Sequence, residues 1–577
     1  MNFILPFSAW KAFRRTPLAA AAAALIATTA GAVEFDTGDP DTKVRWDNTV
    51  KYSAAVRTGG QSPGLIANPN QDDGDRNFNR GLISNRVDWL SELDVQRGDF
   101  GGRVSAAGWY DTVYNRHNDN PGFAGGAFPN QLSVPGNEFT PTTRRIHGRD
   151  IELLDAFVFG RFDIAGRRAS VRLGQHSILW GESLFFGGNA IAGAQSPVDI
   201  VKLQSVPNTT FKEAIRPVPQ VSGQIELAPQ VTLGAYYQFR WAADRFTAVG
   251  SYFSQQDLLV DGAEQILLPP GLFLDGNGNA LRGPDQRAKN SGQGGLQLRF
   301  SGGETDYGLY LVRFHDKFPQ PVINIGVRPT SSDAGCASVG GLVVAPGLCA
   351  APQTYQLAYH EGITAFGASA SHTFGPINVA IEASVRHNQD LESVGSVNLQ
   401  AVGGSATNNS NKPAYMVGNT AHMNLSTLWQ VPSTPLWREA TFLGEIAWNR
   451  VLKITKNPQT NNPVATRDAT ALRFILEPTY RQVLPGVDIG VPFGLGYAPK
   501  GSRSMAFGPG QFNDLPAGGG DWTLGINGSY LDAWRFSLAY TRYFGHEDTF
   551  LDAQFRPTYA QALKDRNFIA LSVRRTF

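Results

Sequence analysis

The chain has 577 residues, of which 17% are charged, 42% hydrophobic and 11% aromatic. Its 63 Gly and 35 Pro residues, beside 35 Phe, 17 Tyr and 11 Trp, favour many strands joined by turns over a helical protein. Fifty Lys and Arg residues balance 49 Asp and Glu residues to a net charge of +1. The composition therefore offers no basic surface for nucleic acid and no acidic tail for a basic partner.

The N-terminal segment has the pattern of a signal peptide. Basic residues lie within residues 11–15, residues 18–27 form a short Ala-rich apolar run, and Ala30-Gly31-Ala32 supplies the small residues that a signal peptidase reads. The alternative is a membrane anchor, but about ten apolar residues are half of the roughly twenty that a spanning helix needs. We expect cleavage after Ala32, export of the chain, and one folded domain over residues 33–577.

Strand periodicity dominates the rest of the chain. Residues 44–57 alternate for fourteen positions between a largely apolar face and a polar face, and similar runs recur to the C-terminus. Soluble strands usually stop at five or six residues, whereas a tilted strand that crosses an outer membrane needs about nine to eleven. Several runs reach that length, so the apolar faces are assigned to lipid and the polar faces to a lumen. This parity places Trp89, Tyr237 and Ile381 toward lipid and Arg86, Asp94 and Arg240 toward the lumen.

The connections between these runs alternate in length. Eight short turns interleave with nine long loops, which predicts an antiparallel transmembrane β-barrel of about 18 strands, within a range of 16 to 20. Such barrels place the short turns in the periplasm and the long loops outside the cell. The predicted short turns lie at residues 97–100, 163–167, 228–230, 301–305, 374–376, 431–436, 484–486 and 531–534.

The C-terminal residues support this architecture independently. Ile569, Leu571, Val573 and the terminal Phe577 share one parity. The ending resembles the closing strand of outer-membrane barrels, whose terminal aromatic residue is read by the barrel assembly machinery. We therefore expect that machinery and outer-membrane lipid as partners, and the Gram-negative outer membrane as the location.

One segment departs from the alternation and carries a recognisable set of motifs. They are Arg172-x-Gly-Gln175, Trp180-Gly-Glu-Ser183, Pro197-x-Asp199, Lys212-Glu-Ala214 and Pro217-x-Pro219. In order and spacing they resemble the domain-of-unknown-function family 1302 of Gram-negative outer-membrane proteins. The resemblance implies a barrel that passes hydrophobic or aromatic compounds, and it implies no catalytic residues.

The same segment is the third long loop, residues 177–216. It mixes aromatic rings with charges of both signs, and wide barrels leave a water-filled lumen unless a segment folds inward. We expect this loop to fold into the pore and line the path of the solute, with a solvated external loop as the alternative. The residues assigned to this constriction are Trp180, Glu182, Phe185, Phe186, Asp199, Lys212, Glu213 and Arg216.

Two other loops have distinctive residues. Cys336 and Cys349 are separated by twelve residues in an exported chain, so we expect a disulfide, which stabilises by roughly 3 kcal/mol in the chain-entropy model. The fourth long loop carries the apolar segments 258–260 and 266–274, which either pack over the barrel mouth or receive a hydrophobic ligand.

The sequence gives no sign of catalysis, a cofactor or a metal site. His360-Glu361 and His546-Glu547 begin like a zinc-protease motif, but the positions of the second His hold Thr364 and Phe550. Two function classes follow. One is a porin-like channel for small hydrophobic or aromatic solutes, and the other is a barrel without transport that acts as an adhesin, a structural protein or an assembly partner.

Overall fold

The structure, a computed structural model, describes residues 33–122, 130–207, 211–268, 279–338, 341–500, 505–506 and 515–577. The expected signal peptide, residues 1–32, lies outside the described residues, as do residues 269–274 of the apolar segment in the fourth long loop. Among the described residues, no helix is both long enough and apolar enough to cross a membrane.

Most of the described chain is antiparallel strand. The strands in chain order are β1 Val33–Phe35, β2 Thr42–Arg57, β3 Gly81–Arg97, β4 Phe100–Asp111, β5 Arg149–Ile164, β6 Arg167–His176, β7 Val218–Ala228, β8 Val231–Gln238, β9 Gln265–Ile266, β10 Ala280–Arg282, β11 Gln293–Gly302, β12 Thr305–Phe314 and β13 Gln320–Pro329. They continue as β14 Leu342–Ala345, β15 Leu348–Ala358, β16 Ile363–Phe374, β17 Ile377–Asp390, β18 Val397–Asn398, β19 Val417–Val431, β20 Glu439–Lys456, β21 Asp468–Leu484, β22 Val487–Gly490, β23 Phe493–Lys500, β24 Gly520–Tyr530, β25 Trp534–Phe544 and β26 Phe568–Thr576.

Eighteen strand positions form the wall of a closed barrel, as the alternation of turns and loops predicts. In order around the wall they are β2 to β8, β11, β12, β16, β17, β19, β20, β21, the pair β22 and β23, β24, β25 and β26. The fifteenth position is split because Pro492 has no N–H to offer the ladder. Val491 donates its N–H to the Pro478 carbonyl at 2.9 Å, and the strand resumes at Phe493.

The barrel closes where β2 pairs with β26. The register runs from Thr49 opposite Thr576 to Arg57 opposite Phe568. Phe577 and Asn48 exchange both backbone hydrogen bonds, each at 2.8 Å. The C-terminal residue is therefore part of the seam.

All eight short turns lie at one end of the barrel, and the long loops lie at the other. We number these loops by the strands they join: loop 1, residues 58–80; loop 2, 112–148; loop 3, 177–217; loop 4, 239–292; loop 5, 315–362; loop 6, 391–416; loop 7, 457–467; loop 8, 501–519; loop 9, 545–567.

The two faces of the wall follow the predicted parity. Trp89, Tyr237 and Ile381 are each more than two-fifths exposed on the outer face. On the inner face, Arg86 lies 2.7 Å from Asp88, and Asp94 lies 3.7 Å from Arg103. One assignment is wrong: Arg240 lies beyond the end of β8, exposed in loop 4, because the strand ends at Gln238.

The long loops contain the remaining regular structure apart from β1, which pairs antiparallel with β2. Strands β9, β10, β13, β14, β15 and β18 form a second sheet of six strands within loops 4, 5 and 6. The helices are short: α1 Asp73–Arg76, α2 Pro141–Thr143, α3 Ile200–Ser205 and α4 Asp333–Ser338, with 3-10 turns at Ile191–Ala194, Phe211–Ala214, Gln400–Val402 and Pro458–Thr460 and a π turn at Arg144–Gly148.

Candidate functional site

Loop 3 leaves the barrel wall through a conformation that requires glycine. Gly174 has a φ of +129°, and a Cβ there would lie 2.3 Å from the Ala156 carbonyl oxygen of β5. Two residues later His176 ends β6, with its Nε2 atom 2.7 Å from Ser222 Oγ. The His176 carbonyl accepts a hydrogen bond from Gln220 Nε2 at 2.6 Å. These contacts to β7 fix the point at which the chain leaves the wall.

The outgoing limb of loop 3 ends on a carboxylate of the opposite wall. Glu445 lies on β20, the thirteenth wall position, whereas loop 3 starts from β6, the fifth. Glu445 Oε2 accepts the backbone N–H groups of Leu184, Phe185 and Phe186 at 3.1, 2.5 and 2.9 Å, and Oε1 accepts the Ser183 hydroxyl at 2.7 Å. Loop 3 therefore crosses the lumen.

A second carboxylate holds both sides of the crossing. Glu382 of β17 accepts the Glu182 N–H at 2.8 Å and the Ile191 N–H at 2.6 Å. Gly181 has a φ of +96°, and a Cβ there would be 2.2 Å from Glu382 Oε2. The glycine of the Trp-Gly-Glu-Ser motif is thus what allows the chain to approach this carboxylate.

The tip of loop 3 is held by polar side chains of β17, β19 and β20. Arg386 Nη2 donates to the three successive carbonyl groups of residues 188–190 at 2.9 to 3.1 Å. Asn189 Nδ2 donates to Asn424 Oδ1 at 2.9 Å, and Asn189 Oδ1 lies 3.0 Å from His422 Nδ1. Backbone and side chain of the tip are therefore both fixed, which preorganises the crossing segment.

The aromatic residues of loop 3 pack against the wall. Trp180 meets Tyr236 edge to face at 5.0 Å between ring centroids. Phe185 and Phe186 are 1% and 0% exposed. They share a cluster with Ala447, Ala469, Ala471, Ile475, Ala498 and Leu515. The assignment of Phe185 and Phe186 to the ligand path is therefore corrected, because their rings are covered by the wall and anchor the loop.

Two buried ionisable groups from loops 4 and 5 hold the middle of loop 3. Asp244 Oδ1 accepts the Val198 N–H at 2.8 Å, and burial raises the pKa of Asp244 to about 7. Lys317 Nζ donates to the Ala194 carbonyl at 3.2 Å, and burial lowers its pKa to about 8. Asp244 and Lys317 thus hold loop 3 by hydrogen bonds to its backbone.

The returning limb is tied to β5 by a charge network. Asp199 Oδ1 accepts the Lys202 N–H at 3.0 Å at the start of α3, and Asp199 Oδ2 pairs with Arg245 at 2.9 Å. Glu152 of β5 joins Arg245 at 2.5 Å and Arg216 at 2.6 Å. Four of these groups are at least three-quarters buried at the side chain, so the network is less screened than a surface pair.

The exposed face of the returning limb has charged side chains near the seam between β2 and β26. Lys212 and Glu213 are exposed on the 3-10 turn, and Lys202 Nζ donates to the Glu213 carbonyl at 2.6 Å. Lys51 of β2 lies within electrostatic range of Lys202 and of Arg574 on β26. Arg574 also interacts with Glu213. Loop 3 and the seam thus present charged side chains to each other.

A cavity of about 130 Å³ lies among the long loops, against α3 of loop 3. Ile200 and Gln204 of α3 contribute to its lining, and loop 4 adds Leu259 and Val260 from its apolar segment. Five phenylalanines also line it: Phe246, Phe253, Phe318, Phe550 and Phe555. The cavity is therefore mostly apolar and aromatic, with a few polar groups.

The two cysteines lie in loop 5. Cys336 belongs to α4 and Cys349 to β15, with sulfurs 2.07 Å apart and Cα atoms 5.7 Å apart. Both residues are fully buried beside Ala351. The bond thus joins a short helix to the second sheet.

A family model described as a protein of unknown function, DUF1302, matches residues 14–577. The chain belongs to this family. No curated protein matches the chain.

Solved barrels resemble this DUF1302 protein only distantly. Acinetobacter baumannii OccAB1 matches with a TM-score of 0.41 at 9% identity, covering 92% of this chain and 96% of that one. Pseudomonas aeruginosa OpdK with vanillate gives 0.36 at 10% identity, with coverage of 92% and 98%. Salmonella typhi OmpF in complex with daunomycin gives 0.33 at 6% identity, with coverage of 94% and 100%.

In this DUF1302 chain, several residues of the recognised motifs shape and hold loop 3. Trp180, Glu182 and Asp199 lie at anchoring points, Arg216 pairs with the wall, and Lys212 and Glu213 face outward from the loop. The wall partners Glu445 and Asn424 were not predicted from the sequence. Glu382 and Arg386 were not predicted as partners of loop 3 either, because spacing along a strand does not reveal which loop a lumen residue meets.

Proposed function

We propose that the protein is an outer-membrane channel for the passive passage of small hydrophobic or aromatic compounds, with loop 3 as its constriction. The observation that carries this proposal is that loop 3 crosses the lumen and is held at the opposite wall by Glu445. A barrel of eighteen strands is otherwise wide enough for a water-filled channel. A segment held across it sets the open cross-section.

The passage runs between loop 3 and the seam of the barrel. Lys202, Lys212 and Glu213 border it on the loop side, and Lys51 and Arg574 border it on the wall side. Trp180 and Glu182 line the outgoing limb at its half-buried surface. Charged groups that face water at this gap orient a polar end of a solute without trapping it.

The phenylalanine-lined cavity favours aromatic or hydrophobic solutes at the outer mouth. Aromatic faces offer an apolar solute a large contact area at low conformational cost. Phe246 and Phe318 meet edge to face at 5.1 Å and are both only half-buried. They leave ring surface for a solute to contact.

Selectivity in planar bilayers tests this function. Reversal potentials under gradients of benzoate or glucuronate compare two singly charged carboxylates that differ in the aromatic ring. We expect the wild-type channel to prefer benzoate several-fold, and Phe318→Ser to reduce that preference. Phe374→Ser, the same change on an exposed residue at the short-turn end of β16, is the matched control and should keep it. A barrel that conducts no ions would favour the adhesin, structural or assembly roles instead.

The constriction itself is tested by shortening loop 3. Deleting residues 187–194 removes the carbonyl groups bound by Arg386 and the side chain of Asn189. We expect a higher single-channel conductance and weaker discrimination between solutes. Deleting the exposed residues 401–406 of loop 6 is the control and should change neither. Unchanged conductance in an inserted loop 3 deletion would place the constriction elsewhere.

The proposal includes two partners. Outer-membrane lipid would surround the apolar outer face, and the barrel assembly machinery would read the terminal Phe577. Replacing Phe577 with Ala should slow insertion in cells while leaving refolding in detergent intact.

A further inference from the structure

A second concentration of buried charge lies where loops 1, 4 and 9 meet, beyond the ends of β2 and β26. Arg57, the last residue of β2, pairs with Asp75 of α1 at 2.6 Å and with Asp565 of loop 9 at 2.9 Å. Gly74 of α1 lies so close to loop 4 that a Cβ there would be 2.4 Å from the Ser254 carbonyl oxygen. The loops are in direct contact, and the charged groups between them are shielded from water.

Three carboxylates converge in this contact. One oxygen from each of Asp72, Asp73 and Asp257 lies within 4.8 Å of the other two. The three residues are 1%, 7% and 0% exposed. Arg76 Nε donates to Asp72 Oδ2, and the Asp73 N–H donates to Asp257 Oδ2 at 3.1 Å. Within the described part of the chain, Oδ1 of Asp72 and Oδ1 of Asp257 accept no hydrogen bond.

A neutral side chain from a third loop points its amide at the same place. Gln131 of loop 2 is 9% exposed, and its Nε2 donates to Asp73 Oδ2 at 3.2 Å. Its Oε1 atom is buried and has no hydrogen-bond donor among the described residues. An amide oxygen left in this way beside carboxylates is a typical calcium ligand.

The charges of the contact do not cancel. The described residues place five carboxylates and three guanidinium groups there, an excess of two negative charges: Asp72, Asp73, Asp75, Asp257 and Asp565 against Arg57, Arg76 and Arg566. Burying an uncompensated charge is costly. One divalent cation would remove the excess.

We propose that Asp72, Asp73 and Asp257, with the amide oxygen of Gln131, bind a calcium ion that joins loops 1, 2 and 4. The four side chains offer only hard oxygen ligands, which suit calcium or magnesium rather than zinc or copper. Calcium tolerates the irregular geometry of ligands drawn from separate loops, whereas magnesium demands a near-octahedral set. Wherever calcium is available, the bound ion would make the long loops 1, 2 and 4 more rigid.

Direct calcium binding to the full-length barrel in detergent tests this assignment. Equilibrium dialysis against ⁴⁵Ca²⁺ after treatment with EGTA should show one ion per chain, with a dissociation constant of about 0.1 to 1 mM as in extracellular calcium modules. Asp257→Asn keeps the shape of the side chain and should weaken binding at least tenfold. Asp548→Asn, which alters an exposed carboxylate of loop 9, is the matched control and should bind as the wild type does.

The outcomes separate the site from an incidental acidic cluster. Heat-modifiable gel migration reports whether each variant is a folded barrel, and Gln131→Leu replaces Asp257→Asn if that variant does not fold. Wild-type protein that binds no calcium, or a folded site variant with unchanged affinity, would overturn the proposal. Magnesium binding with the same affinity as calcium would overturn the assignment of the ion as calcium.

Discussion

A single side chain of the barrel wall, Glu445, makes several of the hydrogen bonds that hold loop 3. Its two oxygens accept three successive backbone N–H groups and a serine hydroxyl, and Asn424 Nδ2 donates to the same carboxylate at 2.7 Å. Hydrogen bonds to a charged group contribute about 1.5 to 3 kcal/mol each. This carboxylate therefore sets how long the loop stays across the lumen.

Replacing this carboxylate with an amide should loosen the loop. In Glu445→Gln, one of the two acceptor oxygens becomes an NH2 donor, which faces either the loop N–H groups or the Asn424 amide, itself a donor. A loss of about 2 kcal/mol raises the population of the detached loop roughly 30-fold. We expect higher mean conductance and more current noise in single-channel recordings. Glu439→Gln, at the exposed end of β20, is the control, and equal noise in the two variants would argue against this role.

Glu182 should make ion selectivity depend on pH. Burial raises the pKa of this half-buried carboxyl, while Arg299 partly opposes the shift. Acidification protonates the group and removes negative charge, and the raised pKa moves that loss above pH 4.3, where an ordinary glutamate titrates. We expect the ratio of cation to anion permeability to fall as the pH drops from neutral to mildly acidic, measured as a reversal potential in a KCl gradient. Glu182→Gln should flatten this change and Glu304→Gln should not; a wild-type profile in Glu182→Gln would contradict the assignment.

At the scale of elements, periodicity was enough to place the wall. All eight short turns fall where sequence predicts them, because alternation must stop where strands leave the membrane. The break at Pro492 and the second sheet were not predicted. Strands such as β13 and β15 alternate as wall strands do, but they pair within the loops, and pairing partners that are distant in sequence leave no local signal.

Sequence also left the long-range contacts of loop 3 unpredicted. Its motifs identified the segment, and its mix of aromatic and charged residues led us to expect an inward course; the motifs include Gly181, whose small size permits the contact with Glu382. The buried positions of Phe185 and Phe186 could not be read from sequence, since an aromatic pair has the same composition whether it lines a pore or packs on a wall.

The crosslink in loop 5 gives a prediction for one element. Cys336 and Cys349 are bonded and fully buried, so a reductant should reach them only after the loop unfolds. We expect their peptides to be linked in a non-reduced digest analysed by mass spectrometry. Dithiothreitol should break the bond readily in heat-denatured protein and slowly in the folded barrel. Two alkylated thiols in protein isolated from the outer membrane would show that the bond does not form.

For the whole molecule, the parity of the wall decides which substitutions the barrel tolerates. Ile381 faces outward on β17, and an arginine near the membrane midplane costs about 2 to 4 kcal/mol on the lipid face. We therefore expect Ile381→Arg to reduce the yield of inserted, heat-modifiable barrel. Arg299→Ile, on the inner face of β11, should insert normally and change ion selectivity. Equal insertion of the two variants would reverse the assigned faces.

The seam between β2 and β26 has a kinetic consequence. Thr49 and Thr576, whose hydroxyls lie 2.9 Å apart, are separated by 527 positions along the chain. Contacts of such high sequence separation form late and slowly, since the intervening chain must be ordered first. Until then β2 exposes an unpaired edge that can capture another chain. Closure of the seam is therefore the last step of barrel folding, and aggregation of this protein should compete with that step.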